Sequence, residues 1–341
     1  MTIQLIGPTA TTFGRLDLTD RDRDLLAEPL LALPDPSTDL DTSGAALLQA
    51  FAALPTQVLR SVLDFGRHPD TPGVMLITNL PTDPALPPTP TDGGPARDKT
   101  SHVAEGVLLG LSALLGEPIG FRTEKAGRAV HDVVPVSHGA TTQTNQGSKV
   151  FLNYHNDIVY DASGRYDVSN PDFLVLHCLR QDPDGEAVTY YADARDILAA
   201  LDEPTKDALR APEFRLNAPG SYCRDVARRE QVLSVPVPLV HGPCEAPEIA
   251  VSANGVHPLT PRAEAAFTRL QETCRDPRVS HAVHLAPGHA LLVNNRKGLH
   301  ARSVFTARHD GTDRWLQRSY VRRDTWSLRE RSVPGARRVF D

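Results

Sequence analysis

Cysteine is scarce in this chain. Cys178, Cys223, Cys244 and Cys274 are the four present, and none forms a CxxC pair. That spacing excludes a zinc ribbon and offers no disulfide framework, so reduced thiols are expected. Long apolar runs are missing too: nothing approaches the ~20 residues of a membrane span. The opening stretch MTIQLIGPTATTFGRLDLTD has no basic segment leading into an apolar core, so no secretory signal is expected and the cytoplasm is the expected location. Positive charge is in deficit. The net charge of −6 argues against nucleic acid as the main partner. Basic residues gather only toward the C-terminus, where a solvated face or tail is the ordinary explanation. Internal repeats are absent.

What is present is a soluble, globular composition, 40 % hydrophobic and 23 % charged, in 341 residues. That length suits one large catalytic domain or two ordinary ones. The stretch 43–68 has helical periodicity with Ser43 as N-cap, and GVMLITNLP (73–81) reads as a short strand. The Pro- and Gly-rich run 81–100 suits a linker or an internal loop equally. SHVAEGVLLGLSALLGEPIG predicts an amphipathic helix with a glycine stop. From about residue 121 short strand-like runs dominate, with helical stretches near 193–210 and 261–274. The picture is a mainly helical outer layer over about 1–120 around a mostly antiparallel β core over about 121–325, in one domain spanning 1–341.

Within FLNYHNDIVYD (151–161), an apolar strand-like run, stand His155 and Asp157. Residues two apart on a strand face the same way. A buried, unpaired carboxylate costs several kcal/mol, so the pair either satisfies itself or holds a metal. The triplet alone means little: His68-Pro69-Asp70 has the same spacing in a polar loop, where solvation explains it. His300, beyond the apolar strand Ala290–Val293, supplies a third ligand. Two histidines and a carboxylate suit the facial set of non-haem Fe(II) oxygenases; a zinc hydrolase is the rival, and structural histidines the plain alternative. In RWLQRSYV, Arg314, Leu316, Arg318 and Tyr320 share one strand face. The two arginines, ~13 Å apart along a strand, suit two separate anions such as carboxylates.

Three segments carry a resemblance: SKVFLNYHNDIVYD, PDFLVLHCLRQDPDGEAVTYYAD and GHALLVNNRKGLHARSVFTARHDGTDRWLQRSYV. Over about two-thirds of its length the chain resembles the clavaminate synthase-like Fe(II)/2-oxoglutarate oxygenases, which include arginine 3-hydroxylases and asparagine oxygenases. The resemblance implies an α+β fold with a distorted double-stranded β-helix (jelly roll) core and surrounding helices. It implies His155, Asp157 and His300 as the iron ligands. Arg314 and Thr189 would bind 2-oxoglutarate, Arg318 the substrate α-carboxylate and Glu124 the substrate amine. Asp157 would also border the substrate, as would the segment TNQGSKV. The implied reaction is hydroxylation of an unactivated C–H of a free amino acid or close derivative, with O2 and 2-oxoglutarate giving succinate and CO2. Desaturation or oxidative ring closure of a similar substrate is the alternative. A carrier protein would be a partner if the substrate is tethered, and antibiotic biosynthesis is the setting that family analogy offers.

The chain departs from the family pattern in three places. The usual H-x-E is H-x-D here. The link YDASGRYDVSN after it is longer than usual, which points to an altered lid. Ser252 and Asn254 stand where arginine hydroxylases carry an aspartate pair, so a guanidinium clamp looks absent. Because Asp157 fills the ligand position that halogenases leave open, halogenation is excluded.

Overall fold

The computed structural model describes residues 12–144, 146–158 and 170–341. The chain start and most of the long link (159–169) lie outside the described residues.

Two sheets organise the chain. The larger has eight strands. Its order is Phe13–Asp17, Val74–Thr78, Ala290–Asn294, Phe173–Arg180, Trp315–Arg322, Glu117–Phe121 and Val339–Phe340, with His131–Val133 also paired to Trp315–Arg322. The smaller has four strands, Ser280–Val283, Thr189–Asp193, Gly298–Arg302 and Leu152–His155, antiparallel throughout. From residue 152 onward the chain passes back and forth between the sheets. Leu152–His155 is in the smaller, Phe173–Arg180 in the larger, and Thr189–Asp193 in the smaller again. This alternation brings residues far apart in sequence into one space between the sheets.

Strand periodicity explains the layers. In FLVLHCLR, Leu174 and Leu176 point into the space between the sheets, where they join Leu291, Leu316 and, from the smaller sheet, Tyr191. Phe173 and Val175 point the other way, against the helices Leu40–Phe51, Thr56–Arg67 and Val103–Leu115. A strand covered on both faces reads as a continuous apolar run, as this one does. The helices Ala194–Ala200, Glu203–Arg210 and Pro261–Cys274 cover the outer face of the smaller sheet through Ile197, Leu209 and Leu270.

Several expectations are corrected. The helix expected over 43–68 is two helices, Leu40–Phe51 and Thr56–Arg67, because Pro55 lacks the N–H that a continuous helix needs. The first is capped by Asp39, whose carboxylate accepts from the backbone N–H groups of Asp41 and Thr42, and not by Ser43. Val103–Leu115 is buried nearly all round, Glu105 included, instead of amphipathic. The N-terminal portion also gives three strands, Phe13–Asp17, Val74–Thr78 and Glu117–Phe121, to the larger sheet. The run 81–100 is an internal loop: Leu80 and Thr89 donate backbone hydrogen bonds to Gly288 and Gly311. Arginines 314, 318 and 322 are each at most 6 % exposed, so the solvated-tail reading fails for them. His68 is exposed beside Asp64, as expected of a solvated loop histidine.

Candidate active site

His155 and His300 sit directly opposite each other in the antiparallel pairing of Leu152–His155 with Gly298–Arg302, with ring centroids 4.3 Å apart. The expected strand over 151–161 ends at His155, however, and Asp157 lies in a bend. Asn156 causes the break. Its fully buried amide donates to the carbonyls of Asn295 and Gly298, at 2.7 and 2.8 Å, and accepts from the Val251 N–H at 2.8 Å. Asn295 completes the clamp: its side chain accepts from the Asp157 N–H at 3.0 Å and donates to the Asp157 carbonyl at 2.8 Å. Ile158, next in line, is held at a φ of 50°, a left-handed conformation that costs a β-branched residue about 1 kcal/mol or more. These constraints turn Asp157 back toward His155, to 3.6 Å between Oδ1 and Nε2.

Ligand atoms of His155, Asp157 and His300 all lie within 4.8 Å of one another. Nδ1 of His155 donates to the Asn153 carbonyl at 2.6 Å, which leaves Nε2 as the lone-pair nitrogen facing Asp157. Burial, with His155 close by, pushes His300 down to about 3, so it is neutral at physiological pH. Burial opposes ionisation of Asp157, yet Arg318 and the two histidines hold it well below the usual carboxylate range. Two imidazoles and one carboxylate on one side of a cavity are a donor set for a divalent first-row metal that leaves other positions open. His68 and Asp70 take no part in this cluster.

The larger sheet supplies the facing wall. Arg314, Leu316, Arg318 and Tyr320 line a cavity of about 550 Å³ together with His155, Asp157, His300 and Thr189. The alternate residues of that strand turn away: Trp315 and Gln317 donate to the buried carboxylates of Asp132 and Glu105 at 2.7 Å each. Arg314 is 6 % exposed and donates to the Thr189 hydroxyl at 3.4 Å. Among the described residues no carboxylate lies within ion-pair distance of it. Burial, partly offset by Cys178 and Asp182, lowers its affinity for its proton. A buried guanidinium with no ion-pair partner among the described residues, beside a hydroxyl, is suited to receive an anion.

Arg318 differs, because it is already engaged. Its guanidinium donates to Asp157 Oδ2 at 2.9 Å, to Glu124 Oε1 at 2.7 Å and to His131 Nδ1 at 3.1 Å, and lies over the Tyr320 ring. The Tyr320 hydroxyl donates to both Glu124 oxygens at 3.1 Å. Burial and the charge of Asp157 push Glu124 upward against the pull of Arg318. His131, buried and beside Arg318, is held well below its ordinary value and so stays neutral. Lys125 and Ala126, directly after Glu124, have φ of 50° and 55°, so the backbone that presents Glu124 is strained.

His155, Asp157, His300, Thr189, Arg314, Arg318 and Glu124 therefore line one cavity, together with Thr144 and Gln146 of the segment TNQGSKV, whose Asn145 lies outside the described residues. Sequence reasoning missed Asn156, Asn295, His131 and Arg302. Arg302 is buried, donates to the carbonyls of Gly147 and Val150, and is pushed down to about 10 by burial and by Arg314. The doubled asparagine in the apolar run LLVNN was the available signal for Asn295, since an amide there needs partners.

Two histidines and a carboxylate that could hold a metal share one cavity with a buried arginine suited to an anion, an arrangement that fits a mononuclear metal oxygenase taking an oxoacid as cosubstrate. Comparison with known proteins narrows it. Residues 73–320 match the family model described as taurine catabolism dioxygenase TauD, TfdA family, and the chain belongs to that family. It is 37 % identical over 280 residues to an L-asparagine oxygenase of Streptomyces coelicolor, covering 82 % of this chain and 80 % of that one. It is 32 % identical over 275 residues to an L-lysine 3-hydroxylase of Catenulispora acidiphila, covering 80 % and 73 %. Among solved structures, an asparagine oxygenase bound to Fe(II), 2S,3S-3-hydroxyasparagine and succinate superposes with a TM-score of 0.84 at 34 % identity, over 96 % of this chain and 98 % of that one. The non-heme iron oxygenase OrfP with Fe and alpha-ketoglutaric acid gives a TM-score of 0.77 at 26 % identity, over 97 % and 100 %.

Proposed function

We propose that this chain hydroxylates a free α-amino acid or close derivative, with His155, Asp157 and His300 as its Fe(II) ligands. It is an Fe(II)/2-oxoglutarate-dependent oxygenase. We read it as one domain, with the two sheets forming a distorted double-stranded β-helix. The observation that carries the site assignment is a complete ligand triad in the same cavity as Arg314, a buried cation with no described carboxylate within ion-pair distance.

Iron with 2-oxoglutarate and O2 supplies the oxidising chemistry, and 2-oxoglutarate leaves as succinate and CO2. Residues of the chain do the rest. His155, Asp157 and His300 would hold the metal, and as three protein ligands they would leave it open to cosubstrate and O2. Arg314 and Thr189 hold the far carboxylate of 2-oxoglutarate. The Arg318–Glu124 pair is complementary to an amino-acid zwitterion: the α-carboxylate faces the guanidinium and the α-ammonium faces Glu124. Asp157 contributes twice, with Oδ1 near His155 and Oδ2 on Arg318, so the metal and substrate anchors share one carboxylate. Leu174, Leu176 and Leu316 line the same cavity and keep water from the reacting C–H bond.

The side chain of the substrate is uncharged or acidic in this reading. Among the described residues lining the cavity, Asp157 and Glu124 are the carboxylates, and Arg318 engages both. Ser252 is occupied internally, donating to the Asn217 carbonyl at 2.9 Å and accepting from the Asn254 N–H at 3.1 Å. A guanidinium or ammonium there meets no counter-charge among the described residues. Succinate formation measured across the amino acids with Fe(II) and 2-oxoglutarate tests the whole reading. Absence of any substrate-dependent succinate would refute it.

A further inference from the structure

The Pro-rich loop carries a residue with no obvious reason to be buried. Thr89 is 3 % exposed. Its N–H donates to the Gly311 carbonyl at 2.8 Å and its hydroxyl to the Asp313 carbonyl at 2.7 Å. The same oxygen accepts from Arg180, at the end of Phe173–Arg180. Arg180 also donates to the carbonyls of Gly311 at 2.9 Å and Pro87 at 3.0 Å, and its guanidinium carbon stands 5.9 Å from the Trp315 ring centre. Gly311 has a φ of 89°, and a Cβ there would meet that of Pro88 at 2.7 Å, so only glycine fits. Asp313 closes the turn from within by accepting from the N–H groups of Arg308 and His309 at 2.7 and 2.6 Å.

The residue after this tightly held turn is Arg314. Among the described residues its own guanidinium has a single long bond, to Thr189, so its aim depends on the backbone that delivers it. We propose that Thr89 and Arg180 are positioning residues that set Arg314 for the far carboxylate of 2-oxoglutarate. The inference rests on the assignment of Arg314 above. It gives the Pro-rich loop a function: the loop is a buttress of the cosubstrate site.

The test compares two oxoacids of equal length. 2-Oxoglutarate and 2-oxovalerate chelate a metal through the same atoms, but only the first has a far carboxylate for Arg314. Each is titrated into Fe(II)-loaded full-length protein without oxygen, following visible absorption. Wild type binds 2-oxoglutarate more tightly. Thr89→Val removes two hydrogen bonds at nearly constant volume, and Arg180→Lys removes the fork while keeping the charge. Both are expected to weaken 2-oxoglutarate roughly tenfold and leave 2-oxovalerate unchanged, with Thr89→Ser restoring the wild-type value. Equal weakening of both oxoacids would mean general loosening and overturn the proposal, as would unchanged 2-oxoglutarate binding in both variants. A wild type that does not prefer 2-oxoglutarate would overturn the Arg314 assignment itself.

Discussion

Arg314→Leu is the substitution with the sharpest consequence, because it should separate binding from stability. In the free protein the guanidinium is 6 % exposed, touches Thr189 at 3.4 Å and has no described carboxylate within ion-pair distance. In the proposed complex with 2-oxoglutarate, the same group faces its far carboxylate. Two charge-assisted hydrogen bonds at about 1.5–3 kcal/mol each contribute about 3–6 kcal/mol. At about 1.4 kcal/mol per tenfold, the loss is roughly two to four powers of ten in 2-oxoglutarate affinity. Arg314→Lys keeps the charge without the fork and should fall between. Stability should move the other way. Replacing a buried, unpaired cation with a hydrocarbon removes a desolvation penalty, so the free Leu variant should be more stable by about 1 kcal/mol or more. Initial rates against 2-oxoglutarate concentration, with Tm measured on the metal-free protein, read both effects. A lower Tm with an unchanged 2-oxoglutarate requirement would refute the reasoning.

Three further outcomes are expected. Alanine at His155 or His300 should abolish succinate formation and weaken Fe(II) binding in an equilibrium titration, while circular dichroism stays native. Asp157→Glu, which moves the carboxylate about one methylene toward Arg318, should retain iron but raise the substrate KM roughly tenfold, since Arg318 and Asp157 meet at 2.9 Å; an unchanged KM would dissociate the substrate anchor from the metal ligand. His177 is fully buried, and burial with nearby Lys99 pushes it down to about 4. The unfolded chain titrates near 6.5, so it binds the extra proton between those values and stability falls as pH drops from about 6.5 to about 4, by up to about 1.4 kcal/mol per unit. Above pH 6.5 that contribution is complete. Urea unfolding of His177→Gln should show a shallower acid dependence, and identical slopes would exclude His177 as its source.

Much of the site was legible because catalysis forces unusual residues into ordinary patterns. A histidine and an aspartate in an apolar run, and arginines on alternate positions of a strand, conflict with burial unless something binds them. Strand alternation alone assigned Arg314, Leu316, Arg318 and Tyr320 to one face, and those four line the cavity. Boundaries were less legible. The break after His155 depends on the Asn156 amide reaching residues 251, 295 and 298, contacts that no local pattern encodes. Pro55 marks the split between the two helices, but helical periodicity continues on both sides of it and masks the break.

Residue chemistry, then, is what the sequence determined by itself: which groups can ligate a metal, which can hold an anion, and which strand faces they share. That follows from side-chain identity and a two-residue period, both local properties. Tertiary structure decided the pairings. It placed Glu124 and Asp157 on either side of Arg318, joined Thr89 to the turn before Arg314, and made an internal buttress of a run that composition could equally assign to a linker. The reason is range. Each of these contacts closes a loop of a hundred residues or more and exists only because the folded sheets bring those segments together.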